Sequence, residues 1–450
     1  MNEKETSVCP LEYRYGSPEM RSIFTREATL KRLVEVEAAL LRGLEAAGFA
    51  PEGCWRRLQE CASGIKVEEL DSLEARVGHD IAALAFLLGE KCGECGGYVH
   101  LGATSYDIVD NAWALALKEA LAILKKRLRS VLALLAELTE RHADLVMAGR
   151  THGRHALPIT LGFKLANYVY ELSRSYERLC ESAKRVVRGK ISGAVGTMAA
   201  WFQHGLLVEG WTLKALDLEP HSITTQVAPR DGFAEIVCNL AILGSQLDRL
   251  SLEIRELMRD EIEELLTVEQ RTGSSTMPHK KNPVLAERVS GLARILRGLC
   301  LTALENVVLL HERDLTNSSV ERIMLPHAFL VSDQMLADTL RALECLYVNE
   351  KAIKRNLNAS RGLMASECIL VKLVLKAGMP RHEAHELLSS LATRVSNGSG
   401  FEDVLRESRV VELLDWGEIQ ECFDYSRYLG NYRQLIERAL GYYRKVIESC

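Results

Sequence analysis

Five stretches of this chain, 103–148, 163–188, 245–272, 299–325 and 327–361, contain neither glycine nor proline. Nothing else limits its fold so strongly, because these are the residues that break helices. Within the first stretch Leu115, Leu117, Leu121, Leu124, Leu128, Val131, Leu132, Leu135 and Leu138 keep returning to one face at helical spacing. A helix of roughly 35 residues is about 50 Å long. Leu247, Leu250, Ile254, Leu257, Met258 and Ile262 repeat the pattern in the third stretch. Strand signals, alternating β-branched and polar runs, are nearly absent. The expected class is all-α, with a long central helical bundle between smaller helical domains.

Three regions are expected. Residues 1–104 carry shorter helices, broken at Gly48-Phe49-Ala50-Pro51 and between Gly93 and Gly97; 105–350 form the bundle; 351–450 are again shorter helices, broken at Asn397-Gly398-Ser399-Gly400. A long thin bundle exposes much lateral surface. Around Leu299 to Leu310 apolar residues occupy more than one helix face, which calls for partners from other subunits.

The balance of 47% hydrophobic and 26% charged residues is that of a soluble globular chain. A net charge of -5 without a basic block argues against nucleic-acid binding. No apolar segment follows Met1, and the uncharged run 191–208 is interrupted by glycines, Thr197, Gln203 and His204. No membrane association and a cytoplasmic location are the expectations. Of twelve cysteines only Cys92 and Cys95 have Cys-x-x-Cys spacing, and no second pair or histidine set completes a zinc site. Packing or surface thiols, or structural disulfides of the hyperthermophile kind, are the expected roles.

If the long stretches are helices, chemistry belongs in the polar islands between them. The densest is Gly273-Ser274-Ser275-Thr276-Met277-Pro278-His279-Lys280-Lys281-Asn282-Pro283. It holds oxyanion donors, a histidine, and a lysine and asparagine suited to carboxylate. On residue chemistry alone His279 is the candidate base. Tyr13-Arg14-Tyr15-Gly16-Ser17-Pro18 offers an arginine fork and a phenol for phosphate, or a helix cap with Ser17 at N-cap and Pro18 at N1. His79-Asp80 precedes an apolar helix. Thr104 and Ser105 open the longest one, where hydroxyls and free amides can meet an anion or cap the helix. Thr151-His152-Gly153-Arg154-His155 supplies a candidate acid or base. His311 to Arg322 is either a solvated helix face or, through Arg313, Ser318 and Arg322, a second anion cluster. Phosphate-loop, dinucleotide and metal motifs are missing, so no cofactor and no metal are expected, and acid–base chemistry on a small anion remains.

These residues resemble the fumarase/aspartase superfamily. GSSTMPHKKNP is similar to its Gly-Ser-Ser-x-Met-Pro-x-Lys-x-Asn-Pro loop at eight of eleven positions, and THGRHALP and HLGATSYDIVDN resemble its other substrate segments in order and spacing. Within it, His279 after Met-Pro is similar to the adenylosuccinate lyase and carboxymuconate cycloisomerase branches. The context Arg14-Tyr15-Gly16-Ser17-Pro18-Glu19-Met20 and the Arg313, Ser318, Arg322 island favour the first. Thr276, Lys281 and Glu321 depart from that branch's common Ala, Arg and Arg.

The resemblance implies β-elimination of fumarate from adenylosuccinate to give AMP, and from SAICAR to give AICAR. It implies Ser275 as base in place of His279 and His152 as acid. His79 positions substrate or supports the acid, Lys280 and Asn282 hold the succinyl carboxylates, and Glu287 orients His152. Arg14, Tyr15, Asp80, Thr104, Ser105, Thr151, Gln226, Ser274, Met277, Arg288, Arg313, Ser318 and Arg322 complete the implied substrate set. A homotetramer whose sites combine segments of three subunits is implied as well. The alternatives are a cycloisomerase or argininosuccinate-type lyase on the same fold, with no nucleotide phosphate to bind, and a catalytically silent helical scaffold.

Overall fold

A computed structural model describes residues 8–268, 277, 279–396 and 398–450. Ser274, Ser275 and Thr276 of the dense polar island, and Asn397, lie outside the described residues.

The chain is built mainly of helices. In order come α1 (Pro18–Ile23), α2 (Arg26–Ala46), α3 (Cys54–Ala62), α4 (Val67–Val77), α5 (Asp80–Lys91) and α6 (Ser105–Arg141). A hairpin of β1 (Val146–Thr151) and β2 (Arg154–Thr160) precedes α7 (Leu161–Val186), α8 (Gly205–Leu216) and α9 (Asp231–Leu257). Then come β3 (Leu265–Thr267), α10 (Val284–Glu305), α11 (Thr316–Glu344) and β4 (Leu346–Val348). The C-terminal part holds α12 (Glu350–Asn358), α13 (Ser366–Ala377), α14 (Arg381–Ala392), α15 (Trp416–Phe423) and α16 (Tyr432–Ser449).

The first expected helix is α6, 37 residues long, and every apolar position assigned to its buried face is buried. Three expectations need correction. The stretch 245–272 is helical only to Leu257, and Leu265 to Thr267 pair antiparallel with Leu346 to Val348. The stretch 299–325 breaks after Glu305 without glycine or proline and resumes at Thr316. Pro326, which separates the stretches 299–325 and 327–361, lies inside α11. A proline inside a helix costs about 3 kcal/mol. Burial of Met324, Leu325, Ala328 and Phe329 around it supplies the opposing gain.

Contacts divide the chain into two compact units. The first is Met1–Arg129, Ser175–Leu247 and Val289–Ala337; the second is Ser130–Arg174, Asp248–Arg288 and Asp338–Cys450.

The first unit has a core of leucines from α2 against α8, with Leu40, Leu41 and Leu44 beside Val208, Leu213 and Leu216. Gly43 sits in the middle of α2 because a Cβ there would overlap Thr212 Oγ1 and the Val208 carbonyl. Two disulfides lace α3 to the segment after α5, Cys54 to Cys95 and Cys61 to Cys92. The Cys-x-x-Cys pair is therefore neither a metal clip nor a redox pair, since each cysteine bonds to α3. Before α1, Ser17 caps the helix by accepting the Met20 amide at 3.1 Å, with Pro18 in the first turn, as the sequence predicts.

The second unit carries the β1–β2 hairpin and a core that includes Ile369 and Leu373 of α13, Leu388 of α14 and Ile419 of α15. A third disulfide, Cys368 to Cys422, ties α13 to α15. Among the described residues no helix is long and apolar enough to cross a membrane.

Candidate active site

In the first unit, the expected substrate residues are linked pair by pair. His79 caps α5: its Nδ1 accepts the Ala82 amide at 3.3 Å, and its Nε2 lies 3.2 Å from Ser105 Oγ at the start of α6. An accepting Nδ1 puts the ring proton on Nε2, so the imidazole donates to the serine. Beside it, Asp80 Oδ2 accepts from Arg322 of α11 at 2.6 Å. Ser318 stands one turn before Arg322 on the same helix. Next to Ser105 is Tyr106, and the guanidinium of Arg313 lies 3.9 Å from its ring centroid. Arg313 also donates to Gln226 Oε1 at 3.1 Å, and Gln226 Nε2 donates to the Ala194 carbonyl at 2.8 Å.

Thr104 follows the helix-cap alternative and not the anion one. Its amide is not free for an anion, because the carboxylate of Asp107 accepts it at 2.8 Å. That is the returning half of a capping box, and Thr104-x-x-Asp107 before an apolar run was a legible signal for it. Asp107 is fully buried and also accepts from Lys190 Nζ and from the amides of Ser192 and Gly193. Another neighbour missed from sequence is the pair of half-buried His100 and buried Glu37, at 2.7 Å. Burial lowers the His100 pKa, but its bond to the Glu37 carboxylate and that group's charge together raise it.

The polar stretch from His311 is not a solvated helix face. Arg313 is in a loop, and Asn317 and Glu321 on α11 are buried. Glu321, which departs from the family pattern, has a structural task. It accepts from Arg230 Nε at 2.8 Å and from Asn317 Nδ2 at 2.9 Å, while Nη1 and Nη2 of Arg230 each donate to the Asp110 carboxylate. Burial raises the Glu321 pKa, opposed by the charge of Arg230.

The N-terminal pair also belongs to this unit. Arg14 is exposed and lies 5.9 Å from the Tyr15 ring. The following turn is fixed to α11 by Gly16 N–H on Gln334 Oε1 at 3.0 Å and Ser17 N–H on Asp333 Oδ2 at 2.7 Å.

In the second unit, Thr151 and His152 end the hairpin. Thr151 pairs with Arg154, so His152-Gly153 is a two-residue loop with φ of 54° and 72°. Two positive φ values in a two-residue loop are the signature of a type I′ turn, whose twist matches the strands. This is the strand pair that the sequence reading missed, although a glycine at the second loop position between β-compatible runs was a usable sign. The exposed His152 is thereby projected at the tip. Arg150, one residue before Thr151, is no anion binder: its Nη1 and Nη2 donate to the buried Glu264, at 2.8 and 2.6 Å. Asn356 Nδ2 adds a bond to Glu264 at 3.0 Å.

Lys280 is exposed and its amide donates to the Met277 carbonyl at 3.0 Å. Asn282 is half-buried, and its carbonyl accepts from Val284 at the start of α10. Glu287 lies exposed in the first turn of α10 and makes no bond to His152, against the expected carboxylate–imidazole contact. Arg288, expected to touch substrate, is ion-paired through its Nε and Nη2 with Asp338. Ser274 and Ser275 lie outside the described residues.

With this geometry in place, comparison with known proteins is informative. Residues 12–298 match the family described as Lyase, and residues 362–439 match the family described as Adenylosuccinate lyase C-terminus. The adenylosuccinate lyase of Pyrococcus abyssi is 43% identical over 442 residues, covering 97% of this chain and 98% of that one. That of Archaeoglobus fulgidus is 38% identical, with 98% and 100% covered. Among solved structures, a fumarate lyase from Mesorhizobium sp. BNC1 superposes with a TM-score of 0.87 at 32% identity, covering 95% of this chain and 98% of that chain. The 3-carboxy-cis,cis-muconate lactonizing enzyme of Pseudomonas putida does so with 0.87 at 29% identity, covering 97% and 99%. The chain belongs to the fumarase/aspartase superfamily of lyases, in its adenylosuccinate lyase family.

Proposed function

We propose that the chain eliminates fumarate from adenylosuccinate to leave AMP, and from SAICAR to leave AICAR, as a step of purine nucleotide biosynthesis. One observation carries the reading. On a chain whose full-length relatives are adenylosuccinate lyases, the first unit links Gln226 to Arg313, Ser105 to His79, and Asp80 to Arg322.

The reaction needs a base for the Cβ proton, an acid for the leaving nitrogen and cations for the carboxylate that takes up the developing charge. Ser275 is the base and His152 the acid. A serine hydroxyl is a weak acid, so its alkoxide needs the charge of Lys280 and a site closed to water. Lys280 and Asn282 hold the succinyl carboxylates, with Ser274, Met277 and Thr151 beside them. Arg288 acts through its pair with Asp338. Arg14, Tyr15, Ser318 and Arg322 take the nucleotide phosphate. Arg322 keeps donors beyond those facing Asp80, since a guanidinium has five.

The working form is a homotetramer with shared sites, located in the cytoplasm. Exposed Ile295, Leu301 and Leu304 on α10, with Val308 and Leu310 after it, support subunit contacts there. The divisions near residues 104 and 350 bound the part of the chain that forms the tetramer bundle.

The test offers purified protein adenylosuccinate, SAICAR, argininosuccinate and 3-carboxymuconate. AMP and fumarate from the first are expected. Lactone from the last with no AMP would replace this reading by a cycloisomerase.

A further inference from the structure

We propose that Tyr106 is a positioning residue for substrate: its ring fixes the guanidinium that meets the anionic end of the ligand. The proposal rests on the reading that Arg313 binds substrate.

Arg313 needs such a device. It lies in the loop between α10 and α11, so no helix backbone restrains it. Two contacts hold it: the Tyr106 ring face, 3.9 Å from its Cζ, and Gln226 Oε1. Its Nε is buried without a hydrogen-bond partner. A buried guanidinium nitrogen left bare calls for an acceptor from outside the chain, and an anionic substrate oxygen supplies one.

The ring is itself held rigidly. Tyr106 is buried in the first turn of α6, immediately after Ser105. Its hydroxyl accepts from Asn317 Nδ2 at 3.3 Å, and the same amide nitrogen donates to Glu321. Arg230, bonded to both Glu321 and Asp110, places its Cζ 5.4 Å from the Tyr106 centroid. One arginine against two carboxylates leaves that group one negative charge in excess, which favours a second guanidinium on the ring. A cation over a desolvated aromatic face is attracted by the ring quadrupole.

A double-mutant cycle in the full-length protein tests this, with KM and kcat for adenylosuccinate and the melting temperature read for each variant. Tyr106→Leu is expected to raise KM about tenfold with kcat little changed. Tyr106→Phe, which keeps the face, is expected to restore KM. In an Arg313→Ala background Tyr106→Leu is expected to add nothing. Additive effects would overturn the proposal while leaving Arg313 as a substrate ligand. An Arg313→Ala variant with unchanged KM would overturn the reading of Arg313 itself, and the proposal with it. Should Tyr106→Leu not fold, Tyr106→Met fills similar volume without a π face and carries the same cycle.

Discussion

His79 holds Ser105 from across 26 residues of sequence: the imidazole Nε2 is 3.2 Å from the serine Oγ, and Nδ1 is occupied by the Ala82 amide. The cap fixes the tautomer, so the hydroxyl receives a hydrogen bond and its own proton is left to donate outward. Ser105→Ala removes the link while sparing the α5 cap. We expect kcat/KM for adenylosuccinate to fall about tenfold, the worth of one hydrogen bond, with thermal stability unchanged. An unchanged kcat/KM would remove Ser105 from the site.

His152 has two separable duties, as acid and as a turn residue at φ 54°. Asparagine tolerates left-handed backbone but cannot deliver the proton. His152→Asn should therefore lower kcat about 10²- to 10⁴-fold with an unchanged melting curve. His152→Val should lose both activity and stability, because a β-branched residue resists positive φ. Steady-state fumarate release and a thermal melt separate the two.

Glu321 is buried against Arg230. Removing one partner of a buried ion pair strands the other, at a cost of about 3–5 kcal/mol. Glu321→Ala should shift the urea midpoint accordingly, and Glu321→Gln by less, because it keeps an acceptor for Arg230. Equal stability of Glu321→Ala and the parent would mean that Asp110 alone neutralises Arg230.

The two disulfides on α3 close long loops, with separations of 41 and 31 residues. Closing such a loop stabilises by about 3–4 kcal/mol through the unfolded state. Calorimetry with and without reductant should show a lower melting temperature on reduction, matched by Cys61→Ala with Cys92→Ala. No change on reduction would show that these thiols are not bonded in solution.

Glu209 on α8 titrates at about 7, pushed up by burial and then by the charge of Asp107. The unfolded chain gives up this proton first as pH rises from about 4.5. Folded stability therefore falls across about 4.5 to 7 and is level above. The group is half exposed, so screening reduces the effect. Glu209→Gln should melt on the order of 1 °C higher than the parent at pH 8 and equally at pH 4. A parallel pH dependence of the two proteins would rule Glu209 out as the source.

The sequence by itself determined the helices and the family. Long stretches without glycine or proline and a leucine face at helical spacing suffice for α6, because helix formation is local and its burial periodic. The island motifs identified the chemistry, because a reaction needs particular side chains in a particular order. Only the tertiary structure decided which polar residues serve the fold. Arg150, Glu321 and Asp107 look as functional in sequence as Arg313, yet they are consumed by Glu264, Arg230 and the amides around Lys190. The Tyr106 ring under Arg313 was equally hidden. Such contacts join residues tens to hundreds of positions apart, and a buried charge reveals its task only when its partner is seen.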